Sequence, residues 1–315
     1  MSWDQYIGQE KAKDILKAEI RYCVKTNTPL RHVLLFGLAG LGKTTCANII
    51  ARESKRPITI VTGNNLSNEL EFYQTIKTAQ ASGDNPILFI DEIHLVKKQE
   101  LFYTLMTDNF FTVSEKLNIT DSEDKPVTMI HIRLMTIIGA TTHAGNLLEA
   151  FRSRFNLQVH LHPYKPEHLF IIGKNTAKKL KVEVTDEALH MIADNSQARS
   201  RRTNDLLVSA LRLKEDDKPI TVDNVKQIFK FEDIHNDGLF LAQIDALKTL
   251  SKTKRNKLGV RSLASSIGIE AQTWYEEFEP YLMYRNYITV GSGGRILTDT
   301  GKDYLTKNNY VENIS

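Results

Sequence analysis

The octet Gly37-Leu38-Ala39-Gly40-Leu41-Gly42-Lys43-Thr44 puts three glycines, a lysine and a hydroxyl into eight residues. Glycines let a chain curl until consecutive N–H groups face one anion. A helix starting at Lys43, as the run KTTCANIIARE suggests, turns its positive dipole end to the same point. Lys43 adds a full charge suited to the β- and γ-phosphates of a nucleotide, and Thr44, followed by Thr45, offers a hydroxyl to a divalent cation such as Mg²⁺. The strand-type run HVLLF before the octet completes the order that a phosphate-binding loop requires: strand, loop, helix.

Farther on, the apolar run ILFI ends in Asp91-Glu92, at the carboxyl end of a buried strand, where open α/β sheets bind ligands. Neighbouring residues on a strand face opposite sides, so the two carboxylates are expected to divide the work. Asp91 would hold Mg²⁺ through water while Glu92 polarises an attacking water. The run LMTIIGA leads into Thr141-Thr142, which reads either as ordinary strand-end composition or as a contact to a γ-phosphate. Arg152 and Arg154 in FRSRF read as surface arginines or as planar donors to a phosphate, including one on a neighbouring subunit.

Positioning such groups takes a parallel sheet. Strand-type runs at 32–36, 57–61, 87–90, 134–140 and 157–161 alternate with helical stretches, which predicts an α/β domain over residues 1–162. An insertion at about 110–134 has two β-like halves around the charged tip Asp121–Pro126 and reads as a hairpin. Strand patterns vanish between 163 and 235, predicting a small helical domain. Residues 236–315 carry helical segments at 240–252, 261–267 and 271–285, then YITV and RILT around Gly291-Ser292-Gly293-Gly294, the pattern of a winged helix. A chain of 315 residues accommodates several such domains.

Composition adds bounds. Cys23 and Cys46, the two cysteines, sit in apolar helical patterns and read as buried thiols. No apolar run approaches the roughly 20 residues of a membrane-spanning helix, and the first residues lack a secretory pattern, so a cytoplasmic address is expected. The net charge of +3 does not by itself argue for nucleic-acid binding, which needs local clusters. The run from Lys252 to Lys257, with Lys254 and Arg255, is one such cluster or else a solvated basic turn.

The ordered series YIGQE, HVLLFGLAGLGKTTCANIIA, ILFIDEIH, IGATTHAG, FRSRF, EPYLMYRNYI and GGRILT resembles the RuvB family of AAA+ ATPases over nearly the whole chain. The resemblance implies a P-loop NTPase domain, a helical lid domain and a winged-helix DNA-binding domain. It implies an ATP- and Mg²⁺-dependent DNA helicase that moves duplex DNA to drive branch migration of Holliday junctions in recombination and repair. It further implies a homo-oligomeric ring, a hexamer, with a RuvA-type junction-binding partner on the hairpin insertion and a RuvC-type resolvase in the larger complex. Carried over by position, Tyr6 and Ile7 would contact adenine and Tyr164 would flank it, while Gly37, Gly40, Leu41, Gly42, Lys43, Thr44 and Thr45 hold the phosphates. Thr142 would be sensor 1, Arg201 sensor 2, Arg154 the arginine finger with Arg152 as fallback, and Arg295 a DNA contact on the wing.

The chain departs from the family pattern in three places. Ala198-Arg199-Ser200-Arg201 replaces Gly-Thr-Pro-Arg, His143 replaces an arginine after the paired threonines, and Gly291 to Arg295 keeps one of two wing arginines. Two other ATPase classes share parts of the series. A clamp-loader subunit would end in an all-helical collar rather than a β-wing, and a replication initiator of the ATP-switched kind also joins an AAA+ module to a winged helix.

Overall fold

The computed structural model describes residues 2–114, 119–120 and 126–311. The chain divides into two compact units between His162 and Pro163.

In the first unit the strands run in chain order as β1 (Val33–Phe36), β2 (Ile58–Thr62), β3 (Ile87–Asp91), β4 (Phe110–Thr112), β5 (Met129–His131), β6 (Thr136–Thr141) and β7 (Leu157–His160). Five of them form one sheet in the order β2-β3-β6-β1-β7, and its pairs are all parallel. Leu34, Leu35, Leu88, Phe89, Ile90, Ile137 and Ile138 are fully buried. Such unbroken apolar runs are what a sheet covered on both faces selects. β6 lies between β3 and β1, so the carboxyl ends of these three strands stand side by side and deliver Asp91, Thr141 and Gly37 to one edge. β6 starts two residues later than the apolar run suggests, because Leu134 is exposed and the ladder begins only at Thr136.

The insertion is a hairpin: β4 and β5 pair antiparallel, Phe111 opposite Ile130. Phe111 points into the core, edge-on to Phe72 at 5.1 Å. Its base is tied down by Ser114 N–H to Glu69 (3.1 Å) and Arg133 N–H to Gln80 (3.0 Å). The tip at 121–125 lies outside the described residues.

The second unit opens with helices Pro166–Leu180, Asp186–Asp194, Ser200–Leu211 and Val222–Phe231, packed on Leu189, Ile192, Leu206, Leu207 and Ala210. Pro166 starts the first at a position where its missing N–H costs nothing, and the Thr185 hydroxyl caps the second by accepting from Ala188 N–H.

Helices Leu241–Ser251 and Val260–Ser266 follow, then a helical run from Ala271 to Tyr284. Its middle, Trp274–Phe278, is a π-helical turn just ahead of Pro280, which has no N–H to continue a regular ladder. The wing is three-stranded rather than a simple hairpin. β8 (Lys257–Leu258) pairs with β10 (Gly294–Leu297), which pairs in turn with β9 (Ile288–Gly291). A further helix, Asp299–Lys307, closes on this core through Tyr304 and Leu305, and Gly301 is needed there because a Cβ would stand 2.3 Å from the Tyr287 carbonyl.

Both cysteines are buried and free, and burial pushes the Cys46 thiol up to about 12. Among the described residues no helix is long and apolar enough to cross a membrane.

Candidate active site

The loop after β1 owes its path to glycine: Gly37, Gly40 and Gly42 have φ of 146°, 77° and 91°. At Gly37 a Cβ would also meet the Leu161 carbonyl at 2.4 Å, so neither conformation nor space admits a side chain. Helix Lys43–Glu53 begins at once and buries Cys46, Ala47, Ile49 and Ile50 along one stripe. The Lys43 side chain curls back over the loop, its Nζ donating to the carbonyls of Gly37 (2.9 Å) and Leu38 (3.0 Å). Thr44 Oγ1 donates to Asp91 Oδ2 at 3.1 Å, while Thr45 is half-buried on the same turn.

Asp91 ends β3 as expected, but Glu92 is not its strand neighbour. Glu92 has left the ladder in a left-handed conformation (φ 45°, ψ 52°) that opens a 3₁₀ turn, Ile93–Leu95. The two carboxylates therefore part company through a backbone turn, not through strand alternation. Glu92 Oε2 swings to the end of β6, accepting from Thr142 N–H (3.2 Å) and lying 3.1 Å from the Thr142 hydroxyl and 3.2 Å from His94 Nδ1. Gly63 makes room for the turn, since a Cβ there would lie 2.4 Å from the Glu92 carbonyl. His94 and Gly63 were missed in the sequence reading, and His143 stood there only as a departure from the family pattern. His94 stands within ILFIDEIH, and its spacing after the acidic pair was the available signal.

A hydroxyl and a carboxylate already in contact suit magnesium, which usually takes one or two protein ligands and completes its octahedron with phosphates and water. Among the described residues no group of three His, Cys, Asp or Glu side chains could hold a metal alone. Thr44 and Asp91 thus fit a cation that arrives with a nucleotide.

Tyr6 is 4% exposed and donates its hydroxyl toward the Gly42 carbonyl (3.3 Å), with the Leu41 carbonyl at 3.5 Å. Its ring braces the phosphate loop, and half-buried Ile7 is the more open side chain of the pair. Gln9 clips this segment to the end of the sheet by bonding both N–H and C=O of His162. In the second unit Tyr164 is buried with its N–H on the Ala198 carbonyl, and Arg201 is exposed on the first turn of Ser200–Leu211. Ala198 holds φ of 58°, a conformation that favours the glycine of the family pattern.

Neither arginine of FRSRF joins the cluster around Lys43. Arg154 stacks on Tyr103, 4.2 Å from guanidinium to ring centroid, and donates to the carbonyls of Tyr103 and Ala150, while Arg152 bonds Gln158 at 3.0 Å.

On the winged part the structure gives Arg295, expected to contact DNA, a partner within the fold. Its guanidinium makes two 2.7 Å bonds to Glu279, and their side chains are only 13% and 3% exposed. That bidentate pairing raises the arginine's pKa and leaves the fork facing a buried carboxylate instead of solvent. Lys254 and Arg255 are exposed on a turn that the pairing of β8 with β10 sets beside the wing, and Lys257 Nζ bonds the Ser292 carbonyl at its tip.

Comparison with known proteins gives consistent matches. The family model described as the Holliday junction DNA helicase RuvB P-loop domain matches residues 1–161, and that of the RuvB C-terminal winged helix domain matches residues 236–306. The Holliday junction branch migration complex subunit RuvB of Kosmotoga olearia is 34% identical, over 96% of this chain and 88% of the relative. That of Thermotoga maritima is also 34% identical, over 96% and 90%. The solved structure of the Thermotoga maritima RuvB Holliday junction branch migration motor superposes with a TM-score of 0.80 at 31% identity, covering 97% of each chain. With a phosphate loop, an acidic pair and a three-stranded wing in matching order, the chain belongs to the RuvB family of AAA+ Holliday junction DNA helicases.

Proposed function

We propose that this chain hydrolyses ATP with Mg²⁺ to move duplex DNA through a ring, driving branch migration of Holliday junctions. The observation that carries the reading is the meeting of Thr44 with Asp91, and of Glu92 with Thr142, at the ends of adjacent strands. Lys43 and the loop N–H groups hold the phosphates, with Gly37, Gly40, Leu41, Gly42, Thr44 and Thr45 shaping the cradle. Thr44 and Asp91 would hold Mg²⁺, which supplies charge neutralisation at the phosphates. Glu92 polarises the attacking water and Thr142 fixes its aim. Family position supports Tyr6, Ile7 and Tyr164 for the base, Arg201 as sensor 2 and Arg154 as a finger donated to a neighbouring subunit.

In the same reading residues 1–162 are the ATPase domain, 163–235 the lid and 236–315 the winged-helix domain. Lys254 and Arg255 contact DNA phosphates, a RuvA-type partner docks on the hairpin, the ring is a hexamer, and a RuvC-type resolvase joins the larger complex. A DNA substrate of this kind places the chain in the cytoplasm. The three-stranded wing disfavours a clamp-loader collar, and an ATP-switched initiator would turn over slowly whatever the DNA. The test is steady-state ATPase with a RuvA-type partner on four-way junctions against linear duplex. Strong stimulation by junctions is expected, and equal slow rates on both would overturn the motor reading.

A further inference from the structure

The Thr142 hydroxyl has two close neighbours, Glu92 Oε2 at 3.1 Å and His143 Nδ1 at 2.8 Å, but only one proton to give. An ionised carboxylate can only accept. Both contacts are satisfied together when Thr142 donates to Glu92 and His143 donates from Nδ1 to the Thr142 oxygen. In the reverse arrangement Thr142 donates to a bare Nδ1 and turns its lone pairs on the carboxylate. The surroundings hold His143 in place for this role. Its backbone N–H donates to Thr141 Oγ1 at 2.9 Å, and its ring meets His94 edge-on at 4.9 Å between centroids. His94 Nδ1 in turn lies 3.0 Å from Thr141 Oγ1 and 3.2 Å from Glu92 Oε2.

We propose that His143 is a positioning residue for ATP hydrolysis: by donating from Nδ1 it turns the Thr142 hydroxyl onto Glu92 and thereby fixes the aim of that carboxylate. The inference rests on the ATPase reading above. In this role His143 acts through Thr142, so its removal is expected to leave the phosphate cradle intact but let the hydroxyl rotate away. Small losses of aim at a reacting group lower turnover far more than affinity.

The experiment compares kcat, KM and ATP binding for the full chain, His143→Phe, His143→Asn, Thr142→Val and the double variant Thr142→Val/His143→Phe. Phenylalanine keeps the ring but has no donor, whereas an asparagine amide can place an N–H near the position of Nδ1. His143→Phe is expected to lose about tenfold or more in kcat with ATP affinity within about twofold, and His143→Asn to recover most of the loss. On the Thr142→Val background His143→Phe should cost nothing further, because the two act as one unit. Equal losses of affinity and turnover, failure of His143→Asn to rescue, or full additivity with Thr142→Val would each overturn the inference. A parent chain that turns over no ATP on junctions overturns the ATPase reading and this inference with it. An active parent whose His143→Phe variant is unimpaired overturns the inference alone.

Discussion

Thr44 and Asp91 are 47 residues apart in sequence, and their side chains meet at 3.1 Å. The contact follows from topology: helix Lys43–Glu53 follows the loop that leaves β1, and β3 ends two strands away across β6. If this pair holds Mg²⁺, Asp91→Asn keeps the shape and removes the charge. The Mg²⁺ concentration giving half-maximal ATPase should then rise about tenfold or more while metal-free nucleotide binding persists. An unchanged Mg²⁺ requirement would place the cation on other ligands.

Lys43 and Glu92 should fail differently. Lys43→Ala removes the loop's full positive charge, and with it tight nucleotide binding. Glu92→Gln can still accept from Thr142 but cannot polarise water as a carboxylate does, so it should bind ATP with near-parental affinity and stall. Equilibrium binding of a fluorescent ATP analogue beside turnover distinguishes them, and matched losses of affinity in the two variants would contradict this division.

On the wing Arg295 is paired within the fold while Lys254 and Arg255 are exposed, so the proposed DNA contact makes different demands on them. Removing Arg295 leaves the Glu279 carboxylate buried with the Trp274 N–H at 2.8 Å, and loss of one partner from a buried ion pair costs about 3–5 kcal/mol. Arg295→Ala should therefore lower the melting temperature of the chain. Lys254→Ala and Arg255→Ala should leave melting unchanged, weaken unrelated duplexes by similar factors, and each reduce the salt slope of binding by about one unit. A stable Arg295→Ala variant with weakened DNA binding would restore Arg295 to the interface.

His32 predicts a pH dependence of stability. Its Nδ1 accepts the Ile137 N–H at 3.0 Å, so the proton sits on Nε2, which donates to the Met106 carbonyl at 3.1 Å. Burial holds its pKa below the ordinary 6.5. The unfolded chain therefore binds a proton that the folded chain resists. The stabilisation is full above about pH 6.5 and is lost as pH falls through the folded value, where the Ile137 bond breaks. Melting temperatures from about pH 8 to about pH 5 should fall more steeply for the parent than for His32→Gln. Parallel curves would remove His32 from the account.

The legible parts of the site were local or periodic. The phosphate loop needs only near-neighbour glycines, and Asp91 closes an apolar run whose burial its composition announces. Glu92 was legible as an acid but not as a left-handed residue, because that turn depends on Gly63 of another segment approaching its carbonyl. Arg295 looked free because its partner Glu279 lies 16 residues away and meets it only after the wing has folded. β8 is two residues long, too short for any period to register, and the helix Asp299–Lys307 buries few apolar side chains beyond Tyr304 and Leu305. Periodicity reports elements that bury a face, and these two are held mainly by their neighbours.

Arg154 tests whether the sites are shared between subunits. Its guanidinium is held over the Tyr103 ring and bonded to the main-chain carbonyls of Tyr103 and Ala150. If Arg154 is a finger donated to a neighbouring subunit, its guanidinium exchanges these carbonyl partners for a phosphate, a stronger charge-assisted acceptor. Arginines donated in trans raise turnover by roughly 10³ to 10⁵ in GTPases, and the same direction of effect is expected here. Arg154→Ala protomers with intact Lys43 should be titrated against Lys43→Ala protomers with intact Arg154. Mixed assemblies should regain ATPase that neither variant shows alone, since an intact loop can then sit beside an intact finger. If the two variants co-assemble, as judged by differential labels, and no ratio restores turnover, Arg154 acts within its own chain or not at all, and Arg152 becomes the residue to test.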